Sequence, residues 1–245
     1  MRWIVAALLA LFTAGPCLAG SPALVVAFYA KPQNRAPLHQ LLQNSEAEKL
    51  ASWKGQGLLS GYDLLFARYP DRNEWDAMEV LRFPDDAAMT RWRSLTGGIA
   101  DPKLLSVAES IETSPADLER REGAGSSNSV MLVLPYQTFV TPQQYESYLD
   151  GYTVPQFRGW MKAGVLDGFD ILSSRYPAGR PWNDLILLRY HDDPALARRD
   201  EVVSSTRRAL SSDPRWKAWS DSKKKIRSEG ALVVADEVTG AGGGR

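Results

Sequence analysis

The sequence predicts an α+β protein made of two tandem βαββαβ units. The first of three observations behind this is that the chain repeats itself. Trp53-Lys-Gly-Gln-Gly57-Leu-Leu59-Ser-Gly61-Tyr-Asp63 lines up with Trp160-Met-Lys-Ala-Gly164-Val-Leu166-Asp-Gly168-Phe-Asp170 at a constant offset of 107. The alignment runs on without a gap through Arg68-Tyr69-Pro70 and Arg175-Tyr176-Pro177, Trp75 and Trp182, Arg82 and Arg189, and Asp85-Asp86 and Asp192-Asp193. Of the 36 residues from 53 to 88, 15 are identical to their counterparts. Unrelated sequences would share roughly two, and a solenoid unit is only about 20 to 50 residues long, so each copy is a domain. Second, within each copy short apolar runs alternate with stretches of helical period. Third, a polar, Gly/Ser-rich segment separates the copies.

The elements follow in order. Leu24 to Tyr29 and Val130 to Leu134 are short apolar runs bounded by polar residues and proline, hence buried strands. Helices are expected over His39 to Trp53 and Pro142 to Met161, the second broken or reset at Pro155. Gly57 and Gly164 suit the left-handed position that ends a helix. Tyr62 to Arg68 and Trp75 to Phe83 read as a strand pair, matched by Phe169 to Arg175 and Trp182 to Tyr190. The paired aspartates open helices at Ala87 to Trp92 and Pro194 to Leu210. A last strand is expected near Ser106 to Glu112 and at Ala231 to Ala235. The same offset pairs Tyr29 with Tyr136.

The expected division is therefore a signal peptide at 1–19, a first unit at 20–114, a linker at 115–129, a second unit at 130–238 and a disordered tail at 239–245. The leader is read from Arg2, the apolar run Trp3 to Phe12 and the small-x-small site Cys17-Leu-Ala19. An apolar run of ten residues is too short for a bilayer core of about 30 Å. Cleavage near Gly20 would place the product in the periplasm or outside the cell. It would also remove the only cysteine, leaving neither disulfide nor thiolate chemistry.

The chain has 245 residues with 29 basic and 29 acidic side chains. That balance argues against a nucleic-acid partner, which requires an excess of Lys and Arg. No second apolar run approaches the length of a membrane span. Lys223-Lys-Lys-Ile-Arg227 is the one basic run, and Asp221 and Glu229 offset it on a solvated helix.

A βαββαβ unit covers one sheet face with helices and leaves the other open, and two such sheets bury those faces sheet to sheet. In this order and duplication the sequence resembles the dimeric α/β-barrel superfamily, with both ferredoxin-like units supplied by one chain, so that a monomer suffices. The resemblance implies kinship with antibiotic-biosynthesis-type monooxygenases, EthD-like proteins, polyketide cyclases and haem-dependent chlorite dismutases. Fold alone does not choose among their functions. The reading assigns no cofactor and leaves haem open. A chlorite dismutase-like haem site implies a proximal histidine, and only His39 and His191 exist.

The candidate ligand-binding residues are Tyr29, Arg68, Tyr69, Glu79 and Arg82 in the first half and Tyr136, Ser173, Arg175, Tyr176, Asp184 and Arg189 in the second. Arg68 and Arg175 either clamp an anion at a barrel mouth or pair with the repeated Asp63 and Asp170. Arg82 and Arg189 either border a polar cavity or pair across the sheet. Glu79 and Asp184 are expected on the face that carries Trp75 and Trp182, and a buried carboxylate there is a base for an acidic C–H. Ser173-Ser174 replace Phe66-Ala67 and open room in the second half. Three functions follow: a small-molecule-binding barrel, a cofactor-independent monooxygenase-like or cyclase-like enzyme, or a fully packed structural barrel. The presence and lining of a cavity separates them.

Overall fold

The computed structural model describes residues 20–71, 73–96, 102–125 and 129–238. The expected leader at 1–19 and tail at 239–245 lie outside the described residues.

The first half runs β1 (Ser21–Ala30), α1 (Arg35–Leu41), α2 (Ala47–Gly55), β2 (Gly61–Ala67), β3 (Ala77–Arg82), α3 (Asp86–Thr96), α4 (Pro102–Val107) and β4 (Ala108–Gly123). The second runs β5 (Val130–Thr138), α5 (Pro142–Tyr148), α6 (Val154–Lys162), β6 (Leu166–Ser174), β7 (Asp184–Tyr190), α7 (Asp193–Ala197), α8 (Arg199–Leu210), α9 (Pro214–Ile226), β8 (Arg227–Glu229) and β9 (Val233–Glu237). A π turn at Leu42–Glu46 joins α1 to α2, and another at Leu149–Thr153 joins α5 to α6. Pro155 therefore does not break its helix. It sits in the first turn of α6, just past the π turn, where a missing N–H costs little. Gly57 and Gly164 take φ of 71° and 73°, as their place after a helix requires.

Eight strands close into a barrel in the order β7-β6-β4-β1-β3-β2-β9-β5, with β5 pairing back onto β7. All pairings are antiparallel, and β8 extends the sheet beyond β5. The strand order within each half is the same, β4-β1-β3-β2 and β9-β5-β7-β6. The last strand of each half also reaches across: β4 pairs with β6, and β9 pairs with β2. Closure leaves no open sheet edge at these seams.

An eight-stranded barrel is just wide enough for side chains to fill. Val25, Leu65, Met78, Val80, Met131, Val133, Leu172 and Leu187 fill this one, with Trp75 and Trp182 toward one end. The outward residues of the same strands pack under helices, Leu24, Val26 and Leu64 in the first half and Leu132, Ile171 and Ile186 in the second. Strands buried on both faces explain why the sequence shows apolar runs rather than alternation.

Three expectations need correction. The segment from 115 is not a linker as far as Gly123. It is strand, because Ala116 to Gly123 pair with β6, and its charges are matched: Arg120 reaches Glu146 at 2.5 Å and Asp150 at 3.0 Å, and Glu122 meets Arg158 at 2.5 Å. The helix expected over 194–210 is two helices, divided at Arg198, with α9 added after them. Register pairs Tyr136 with Asp184 and Phe28 with Ala77, so the counterpart of Tyr136 is Phe28 and not Tyr29.

Candidate functional site

The repeated arginines at the strand ends tie the two halves together. The Arg175 guanidinium donates to Asp117 through Nε (2.9 Å) and Nη2 (2.6 Å), and to Asp86 through Nη1 (2.6 Å). Arg68 does the same to Asp236 (2.9 and 2.6 Å) and to Asp193. Each arginine thus crosses to the helix-opening aspartate of the other half. The paired aspartates divide their work, since Asp85 and Asp192 accept from the N–H of Ala88 (2.6 Å) and Ala195 (2.7 Å). These carboxylates hold both guanidiniums more firmly protonated than usual. Asp63 and Asp170 are not their partners, and Arg175 also lines a cavity of about 260 Å³ with Tyr176, Asp86 and Trp92. Tyr69 and Tyr176, at the adjoining turns, are largely exposed.

Asp63 and Asp170 pair instead with Arg82 and Arg189 inside one end of the barrel. Arg82 donates to Asp63 (2.6 Å) and Asp170 (3.2 Å), and Arg189 donates to both at 2.9 Å. All four side chains are buried. Burial alone would raise the Asp63 pKa, but Arg82 and Arg189 hold it at about 2. Tyr29 lies at the opposite barrel mouth, 3.3 Å from Glu112, beside a cavity of about 220 Å³ walled by Trp75, Trp182, Met78 and Val133.

Glu79 and Asp184 do not share a face with the two tryptophans. The loop before Ala77 turns Trp75 into the barrel, while Ala77, Leu81 and Phe83 face the helices with Glu79 among them. Burial, with Glu46 beside it, pushes the Glu79 pKa well up against the pull of Lys49. None of the four described cavities has Glu79 on its wall.

On the second half the outer face is different. Asp184 is 3% exposed and lines a cleft of about 150 Å³ between the β6/β7 face and α5, with Ser173, Tyr145, Glu119 and Glu146. Ser173 Oγ donates to Asp184 Oδ1 at 2.5 Å. Burial raises the Asp184 carboxyl to about 7, with Glu146 and Glu119 adding to the effect and Ser173 and Arg227 opposing it. Burial likewise raises Glu119 to about 7. The buried Tyr145 hydroxyl has no hydrogen-bond partner among the described residues, and burial pushes its pKa well up, so it stays a donor. Tyr136 stands opposite Asp184 on β5, with the Arg227 guanidinium 3.7 Å over its ring.

Two sequence changes make the cleft. At the position of Ser173 the first half carries Phe66, which fills the space and stacks on His39 (4.4 Å) and under Arg35 (4.4 Å). A bulge in β4 between Leu118 and Arg120 then leaves Glu119 on this face. Ser173 and Asp184, which the sequence singles out as breaks in the repeat, both line this cleft, and Tyr136 does not. Glu119, Tyr145 and Arg227 come from elements whose approach no local pattern signals.

No family model matches the sequence, and no curated protein does. Among solved structures the chain is similar to a candidate monooxygenase of Lactobacillus acidophilus NCFM, at 13% identity over 89% of this chain and 95% of that one, with a TM-score of 0.58. It is also similar to an anthrone oxidase-like protein, at 11% identity over 90% and 92% of the two chains and a TM-score of 0.56. A haem-binding protein of Thermus thermophilus matches at 11% identity over 90% and 92%, with a TM-score of 0.50. At these identities the likeness shows a shared fold and nothing more.

The haem-binding relative raises the question whether this chain could hold haem. His191 Nδ1 lies 3.1 Å from Asp167 at an exposed turn, and His39 stacks on Phe66. Neither histidine lines any of the four described cavities. No chemistry is assigned to haem. Among them, too, no group of three or more His, Cys, Asp or Glu side chains is placed to hold a metal ion, and no helix is long and apolar enough to cross a membrane.

Proposed function

We propose that this protein is a cofactor-independent, monooxygenase-like enzyme that uses Asp184 to take a proton from an acidic C–H bond of a small aromatic ketone or phenol. The observation that carries the reading is Asp184 itself: a buried carboxylate with a pKa of about 7, oriented by Ser173 and facing a cleft. A general base works best when its pKa lies near the operating pH. Ser173 occupies Oδ1 and leaves Oδ2 to accept the proton. The Tyr145 hydroxyl donates to the oxygen on which the enolate charge develops, in a site where such a donor acts with little competing water. The carbanion so formed reduces molecular oxygen. A CH₂ group becomes C=O, one oxygen atom enters the product and the other leaves as water. The likeness to a candidate monooxygenase and an anthrone oxidase-like protein supports this reading.

The test is oxygen consumption with anthrone as the probe. Turnover is expected with the native enzyme, and Asp184→Asn is expected to lose about 10²-fold or more. Equal rates for the two proteins, or no turnover at all, would reject the assignment.

A second reading, a binding module, is favoured by the apolar barrel mouth between Trp75 and Trp182. A small aromatic ligand seated there would quench tryptophan fluorescence, and Asp184→Asn would leave that quenching unchanged. We further propose that the chain arose by tandem duplication, which the common strand order of the two halves supports, that it works as a monomer, and that it is exported. N-terminal sequencing of exported protein is expected to start within a few residues of Gly20. An intact Met1 or a lipidated Cys17 would refute export by cleavage.

A further inference from the structure

The barrel end that holds the buried arginines opens into a polar cavity of about 490 Å³. Two cations and two anions at its base, Arg82 and Arg189 with Asp63 and Asp170, balance one another. A fifth group breaks the balance. The bulge that leaves Glu119 on the outer face also shifts the alternation of β4 by one residue. Arg121 consequently sits opposite Asp170 and lines the cavity. Among the described residues its guanidinium makes one long contact, 3.4 Å to Asp170 Oδ2, an oxygen that Arg82 and Arg189 already share. Arg121 is exposed, with 37% of its side chain accessible. Desolvation and repulsion from Arg82 lower its pKa, which is the mark of a cation short of negative charge. Lys54, Ser60 and Tyr62 stand on the same wall. Glu237 is the one further carboxylate there, and burial with Asp63 nearby raises its pKa and holds back its charge.

We propose that this end of the barrel binds a small oxyanion, a carboxylate or phosphate group, which the fork of Arg121 engages with Arg82 and Arg189 behind it. Arginine's planar guanidinium pairs with either oxyanion through two parallel hydrogen bonds, a geometry that its single contact with Asp170 leaves unused. The site is distinct from the Asp184 cleft. Asp184 and Arg189 lie five residues apart on β7, about 17 Å along an extended strand.

The test is thermal unfolding of the intact protein titrated with sodium phosphate and, separately, sodium acetate, each against sodium chloride at matched ionic strength. A ligand that binds only the folded state raises the midpoint with its concentration. Phosphate, acetate or both are expected to raise it beyond chloride. Arg121→Ala is expected to weaken the binding at least tenfold, and Arg121→Lys, which keeps the charge and loses the fork, less. Should the alanine variant fail to fold, Arg121→Gln makes the same comparison. Asp184→Asn is expected to bind as the native protein does, so this result stands apart from the test of the enzymatic reading. Midpoints that follow chloride for both anions, native affinity in the Arg121 variants, or equal weakening by Asp184→Asn would each overturn the proposal.

Discussion

Replacing Asp184 with Asn should change how stability depends on pH. The native carboxyl has a pKa of about 7 against an ordinary value of 3.8. Between those two values the folded protein keeps a proton that the unfolded chain has given up, so stability falls as pH rises. A separation of about three pH units, at about 1.4 kcal/mol each, amounts to about 4 kcal/mol across the whole window. The loss begins near pH 4 and is complete above pH 7. Asparagine keeps an acceptor for Ser173 Oγ and cannot ionise. Urea denaturation at pH 5 and pH 8 should therefore show Asp184→Asn gaining about 3 kcal/mol on the native protein between the two conditions. Glu119 titrates in the same range but is present in both proteins, so the difference reports chiefly on Asp184. A difference that stays constant from pH 5 to pH 8 would show that Asp184 does not hold a proton in the folded protein over this range.

Three other outcomes follow from the packing. Arg68→Ala and Arg175→Ala should each cost about 1–3 kcal/mol, because each strips two carboxylates of charge-assisted hydrogen bonds across a seam between the halves; thermal midpoints check this, and unchanged stability would remove these arginines from the clasp. Asp170→Asn should cost about 3–5 kcal/mol, since Asp170 is fully buried and serves Arg82, Arg189 and Arg121 at once; denaturant midpoints give the value. Gly123→Ala should destabilise by more than about 2 kcal/mol, because φ is 73° and a Cβ would come within 2.0 Å of the Asp167 carbonyl oxygen; loss of soluble protein or a lowered midpoint is the expected sign.

Much of this molecule can be read from its sequence, and the failures have physical causes. The repeat marks Arg82 and Arg189 as a pair, and the departures from it mark Ser173 and Asp184, because a residue that breaks a repeat stands out against its counterpart. The partners of Arg68 and Arg175 escape this logic. Asp63 and Asp170 repeat just as regularly, but strand alternation points them into the barrel, toward Arg82 and Arg189. The face assigned to Glu79 and Asp184 fails because Trp75 precedes β3 in an irregular loop, so its parity does not extend along the strand. The charged run Glu119-Arg-Arg-Glu122 reads as linker since its composition is polar. Its pairing with β6 and its ion pairs with α5 and α6 are long-range and leave no local trace. The bulge that divides Glu119 from Arg121 is equally silent, although it shapes both the cleft and the barrel end.

The proposed function rests on a protonatable base in the cleft of the second half. Its most direct measurement is a carbon-13 NMR titration of the Asp184 carboxyl, assigned by comparison with Asp184→Asn. A midpoint near pH 7 is predicted, and a midpoint near pH 4 would make Asp184 an ordinary carboxylate and no general base.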